Sequence, residues 1–212
     1  METDQLIRTL AADTRQRAWP VGLVLAVALL AAGLVSIAMF SAALGVRPDI
    51  RTAMHNPFFD LKFAVTLALA SSASVVGLHL SRPEATLRGW AWLLLIPLLL
   101  LAGGIGCEML LPQHVPMMTR MIGKNWSLCL VAIPVLSLPL LTAALIGLRH
   151  GASTRPAVTG AIAGMLSAGL AATLYASHCT DDSPLFVATW YTIGTALLAV
   201  IGSVAGARVL RF

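Results

Sequence analysis

Six long apolar stretches constrain this sequence more than any other feature. They cover residues 20–44, 61–80, 89–111, 127–148, 156–177 and 186–207. Each is near the ~20 residues that a helix needs to cross the hydrocarbon of a bilayer. The pattern specifies an all-α, polytopic membrane protein with six transmembrane helices. Composition agrees: 58% of residues are hydrophobic and 11% charged, against roughly 45–50% and 25% in a soluble domain. A soluble globular protein is excluded.

What remains outside the 20–207 membrane domain is a tail over residues 1–19, a tail over 208–212 and short loops, too little for a soluble domain of ordinary size. The first stretch is too long for a signal-peptide core, follows acidic as well as basic residues and lacks a small-x-small cleavage site, so it is expected to remain as a span.

An even number of spans puts both termini on one side, and the cations decide which. Nine fall on the side of the termini: Arg8, Arg15, Arg17, Arg82, Arg88, Arg149, Arg155, Arg208 and Arg211. Five fall opposite: Arg47, Arg51, Lys62, Arg120 and Lys124. The loop over residues 178–185 carries Asp181 and Asp182 and no base. Both termini are therefore expected in the cytoplasm, and the net charge of +5 is read as topology, with no direct nucleic-acid contact. Trp19, Trp90 and Trp92 at the inner edge and Trp126 and Trp190 at the outer fall where amphipathic rings favour the headgroups.

Within the spans the residues read as packing. Gly160 with Gly164, and Gly202 with Gly206, form two GxxxG motifs that let the fifth and sixth helices approach closely. Pro97, Pro134 and Pro139 are expected to bend the third and fourth spans, with freed carbonyls satisfied by neighbours or by Ser137 and Thr142. Glu108 and Lys62 near the outer boundary and His79 near the inner one are expected to reach water. A transporter would carry an ionisable group near the midplane, and the spans show none.

Reactive side chains gather at the outer face: His55, Cys107, Glu108, His114, Cys129, His178, Cys179, Asp181 and Asp182. Cys129 opens the fourth span and Cys179 follows the fifth, so bundling permits a disulfide between them, on the side where thiols oxidise. Thiolate and imidazole suit zinc and softer metals, and His178, Asp181, Asp182 and Cys107 are candidate accessory ligands. No CxxC, HxxxH or HExxH occurs, however, and Cys107 reads equally as apolar filler. His55 and His114 read as solvated loop residues. The missing CxxC also disfavours a thiol oxidoreductase, and no phosphate loop or mid-span histidine pair suggests an enzyme. No cofactor is required.

In the N-terminal tail, Thr3 or Asp4 can cap a short helix whose Leu6, Ile7 and Leu10 share a stripe. Such a helix either lies on the inner leaflet in contact with lipid or docks into a groove of a cytoplasmic protein, and periodicity does not separate the two.

Several motifs, taken in order, resemble one family. They are Thr3-Asp4-Gln5-Leu6-Ile7 at the start, Asn56-Pro57-Phe58-Phe59-Asp60-Leu61-Lys62, the run His178 to Phe186, Trp190-Tyr191 with Gly194, and the closing Gly206 to Phe212. Together they are similar to the NrsF-type proteins, six-span inner-membrane negative regulators of sigma F, over essentially the whole chain. The resemblance implies a multi-pass protein of the bacterial inner membrane that takes part in a stress response. It would be an anti-sigma factor, sequestering an extracytoplasmic-function sigma factor at the cytoplasmic face and releasing it when heavy metal or oxidant is sensed. The family's periplasmic cysteine pair matches Cys129 and Cys179, implying a transient metal ion or oxidation there. Thr3, Asp4, Leu6, Ile7 and Leu10 are the candidate sigma-binding residues. The alternative is a small metal or solute transporter with the outer His/Cys cluster as its entrance.

Overall fold

The structure is a computed structural model and describes residues 3, 5, 7, 19–86, 88–112 and 114–211. The described residues are helical throughout, with no strand. Six helical stretches are long and apolar enough to cross a membrane. The first is α1 (Val21–Ala43), followed by a short α2 (Ile50–Ala53) and the second span, α3 (Pro57–Leu80). A 3-10 turn (Ala91–Leu94) leads into the third, α4 (Leu95–Leu110). A short α5 (Met117–Ile122) precedes the fourth, α6 (Trp126–Leu148), and α7 (Pro156–Ala176) is the fifth. The sixth is composite: α8 (Pro184–Phe186), a π-helical turn (Val187–Tyr191) and α9 (Thr192–Val209).

Helix α7 is central because its sequence is poor in bulk. With little hydrophobic drive between helices in lipid, close backbone approach through small residues does the packing. Gly160 and Gly164 lie against Leu198, Gly202 and Gly206 of α9, so the two GxxxG motifs meet as the spacing predicts. On another side, a Cβ at Gly169 would stand 2.8 Å from the amide nitrogen of Ala70 in α3. Ser137 of α6 donates to the Ser167 carbonyl on a third side, at 3.3 Å. Helix α1 packs chiefly on α6 and α4 chiefly on α3, so these two lie at the periphery.

The three prolines lie within the third and fourth spans. Pro134 and Pro139 sit inside α6, but the nearby hydroxyls serve other carbonyls than the ones proline frees. Ser137 donates to Ile133 O at 2.7 Å and Thr142 to Pro139 O at 2.7 Å, the local bonds short hydroxyl side chains make within a helix. Pro97 stands just after the change from 3-10 to α, in the first turn of α4, where a missing N–H costs little.

Candidate functional site

Three segments meet at the end of the bundle opposite Val21 and Val209: residues 44–56 after α1, residues 114–125 before α6, and residues 177–183 between α7 and α8. Their meeting is organised by buried charge. Lys62, in the second turn of α3, is only 1% exposed. Its ammonium donates to Asp182 Oδ1 at 2.6 Å and to the carbonyls of Cys179 at 3.0 Å and Asp181 at 3.4 Å, above the Phe59 ring at 5.2 Å. Arg47, also buried, donates through Nη1 to the Cys179 carbonyl at 3.2 Å and to Asp182 at 3.0 Å. Its Nε and Nη2 hold both oxygens of Asp49 at 2.7 Å. That bidentate grip holds the Asp49 carboxyl down to about 2.

Glu108 on α4 is likewise buried, ion-paired with Arg120 of α5 at 2.9 Å and accepting from Ser183 Oγ at 2.7 Å. The expectation that Lys62 and Glu108 reach water is therefore corrected. Their partners lie inside the bundle end, and charge-assisted bonds to those partners replace hydration.

Asp181 caps a helix of another segment. Its carboxylate accepts the amides of Lys124 at 3.0 Å and Asn125 at 2.8 Å, at the N-terminus of α6, where unpaired N–H groups and the helix dipole favour an anion. Gly123 makes this approach possible: its φ of 63° is left-handed, and a Cβ there would lie 2.8 Å from the Asp181 carboxyl carbon.

Cys129 and Cys179 lie beneath this charged layer. Both are fully buried, both are free thiols, and both belong to one apolar cluster with Ile133, Tyr175, Phe186 and Tyr191. Burial pushes the Cys179 thiol above its usual value, and Lys62 only partly opposes this. The thiol is accordingly protonated and a poor nucleophile while the layer above it stays closed. The cluster is sealed at its edge by Trp126 and Trp190, whose rings are 5.3 Å apart, with Trp190 Nε1 donating to Met121 O at 3.0 Å.

A model of the family described as "Negative regulator of sigma F" matches residues 10–212. The chain belongs to the NrsF family. It is 34% identical to "Anti-sigma-F factor NrsF" of Caulobacter vibrioides, with all of both chains covered. It is 30% identical to "Probable anti-sigma-F factor NrsF" of Azospira oryzae, again over all of both chains. No solved structure matches the chain.

The NrsF resemblance singled out Cys129 and Cys179, and the fold brings them into one cluster. The accessory candidates are engaged elsewhere. The Nδ1–H of His178 donates to Gly45 O at 2.9 Å, Asp181 caps α6, and Asp182 binds Lys62 and Arg47. Cys107 is exposed on α4 and outside the cluster. Among the described residues, no three of His, Cys, Asp and Glu group as metal ligands. His55 and His114 are exposed, as solvated loop residues should be. Of the candidate partner-binding residues, Thr3 and Ile7 are helical and exposed, whereas Asp4, Leu6 and Leu10 lie outside the described residues.

Sequence reasoning assigned no role at this site to Arg47, Lys62, Tyr175 or Tyr191, although Lys62 and Tyr191 stand in the motifs that carry the resemblance. One signal was present for the cations: a loop with Asp181 and Asp182 and no base of its own needs positive partners from elsewhere, and Lys62 is a lysine inside an apolar span.

Proposed function

We propose that this NrsF-family protein is a membrane-embedded anti-sigma factor, with the termini in the cytoplasm and the Cys129–Cys179 face in the periplasm of the bacterial inner membrane. The cytoplasmic side, with the N-terminal tail, holds an extracytoplasmic-function sigma factor away from RNA polymerase. The reading of the outer face as a sensor is carried by one observation: two free thiols share a single buried cluster directly beneath a layer of ion pairs that joins three segments.

With the accessory side chains engaged, the two sulfurs are the reactive set. An oxidant removes two electrons and two protons to leave a disulfide, or a soft metal cation displaces the two protons and binds both thiolates. Either product changes the bonding and the shape of the packed cluster around the two sulfurs. The resulting shift in helix packing lowers the hold on the sigma factor. Taking that equilibrium from 1:99 to 99:1 requires about 5.5 kcal/mol, within reach of thiolate–metal bonding.

The test is a sigma-dependent transcriptional reporter in cells carrying Cys129→Ser/Cys179→Ser. The variant is expected to insert in the membrane, keep the reporter silent and fail to respond to cadmium or dichromate. A double variant that still responds refutes the sensing role, and co-purification that recovers no sigma factor from untreated membranes refutes the anti-sigma role.

A further inference from the structure

Cys179 is held at two points of different chemistry. Its sulfur lies in the apolar cluster, whereas its carbonyl oxygen accepts from Lys62 Nζ at 3.0 Å and Arg47 Nη1 at 3.2 Å. Both cations also bind Asp182, three positions further along the same turn. Two further bonds run between the turn and the segment after α1: Arg47 N–H to Ser177 O at 3.1 Å, and His178 Nδ1–H to Gly45 O at 2.9 Å. Helix α1 packs chiefly on α6, and this polar clamp ties the segment after it to the turn between the fifth and sixth spans. The same clamp includes α3 through Lys62.

Taking the two thiols as the sensor, we propose that Lys62 and Arg47 are positioning residues of that site. They hold the Cys179 turn by its carbonyl oxygen and carry any displacement of that turn into residues 44–56, which join α1 to α3. The bonds suit this task because they are buried and charge-assisted. Such a pair is rigid while complete, and loss of one partner leaves the other uncompensated. A change at the Cys179 sulfur that rotates the residue moves its carbonyl, and two cations on different segments then lose an acceptor together.

Hydrogen–deuterium exchange read by mass spectrometry tests the clamp on the full chain in lipid nanodiscs, in a Cys107→Ser background. Cys129 and Cys179 are modified with p-chloromercuribenzoate and their modification is confirmed by intact mass. Modification is expected to speed exchange over residues 44–56 about tenfold, as the Arg47 amide and its neighbours open. Lys62→Met is expected to show that faster exchange without reagent, and Lys62→Arg, which keeps a cation, to restore slow exchange and the response to the mercurial. If Lys62→Met does not fold, Arg47→Gln replaces it, since Lys62 still neutralises Asp182. Unchanged exchange over 44–56 in fully modified protein overturns the proposal, as does Lys62→Met behaving like Lys62→Arg.

The two readings fail separately. A reporter response that survives loss of both thiols overturns the sensor and leaves the exchange result standing. A response that needs the thiols, alongside unchanged exchange, overturns the clamp alone.

Discussion

Replacing Gly206 by alanine tests the packing that sets the whole bundle. The added Cβ would stand 2.5 Å from the Cα of Gly160 and 2.7 Å from the Pro156 carbonyl. Ordinary carbon–carbon contact is about 3.5–4.0 Å, so α7 and α9 must separate by about 1 Å where they cross. Overpacking of this kind costs about 1–3 kcal/mol. For a chain of this size each kcal/mol moves the unfolding midpoint by about 2–4 °C, so the expected drop is ~2–12 °C. Helix propensity works the other way, favouring alanine by up to about 1 kcal/mol, so a measured loss understates the steric term. Gly33→Ala is the control, because a Cβ there meets nothing within 4 Å. Its stability should stay within about 0.5 kcal/mol of the parent or rise slightly. The assay is thermal unfolding in mild detergent, followed by the near-ultraviolet signal of the Trp126–Trp190 pair. If the two variants unfold together, the glycine contacts do not set the helix separation and the reasoning fails.

Three further outcomes follow from the distal end. Glu108→Leu leaves Arg120 and the Ser183 hydroxyl without their shared acceptor, so it should destabilise by about 3–5 kcal/mol in the same unfolding assay. Cys107→Ser, at an exposed position outside the thiol cluster, should leave both the unfolding midpoint and the dose–response of a sigma-dependent reporter unchanged. Asp49 is held at about 2 by Arg47, below its ordinary 3.8, so its contribution is present above that ordinary value and is lost as pH falls through about 2. The protection factor over residues 44–56, the intrinsic amide rate at each pH divided by the measured rate, should accordingly fall between those two pH values in the parent, and Asp49→Asn should remove that acid step.

The six spans were legible because each is a long apolar run, and the pairing of the fifth and sixth because two GxxxG motifs fix which faces can touch. Their ends shifted by a few residues where caps decide. Asn56 caps α3 through Phe58 N–H and places Pro57 in the first turn, so the second span starts at Pro57, earlier than hydropathy suggests. The charged layer was not legible, for a physical reason. A lysine near a span end has favourable positions both in water and inside the protein, and the deciding partner, Asp182, lies 120 positions away. The capping of α6 by Asp181 was hidden in the same way, since the acceptor comes from another loop. Cys129 and Cys179 were readable as candidates from residue type and side of the membrane, but their full burial depends on Tyr175, Phe186 and Tyr191, whose spacing in the sequence does not say that they close over the two sulfurs.

The π turn over Val187–Tyr191 has a consequence for how the length of this chain can vary. A π turn, closed by i→i+5 bonds, holds one residue more than an α turn at the same place. Upstream of it, Phe186 faces the thiol cluster; downstream, Leu198, Gly202 and Gly206 face inward, the glycines against α7. Deleting one residue within 187–191 would return the turn to α geometry and rotate everything after it by about 100°. The glycine face would then swing away from α7 while Phe186 stayed in place. The sixth span therefore works like a shaft with an offset coupling: its two halves serve different neighbours, and the extra residue keeps both in phase.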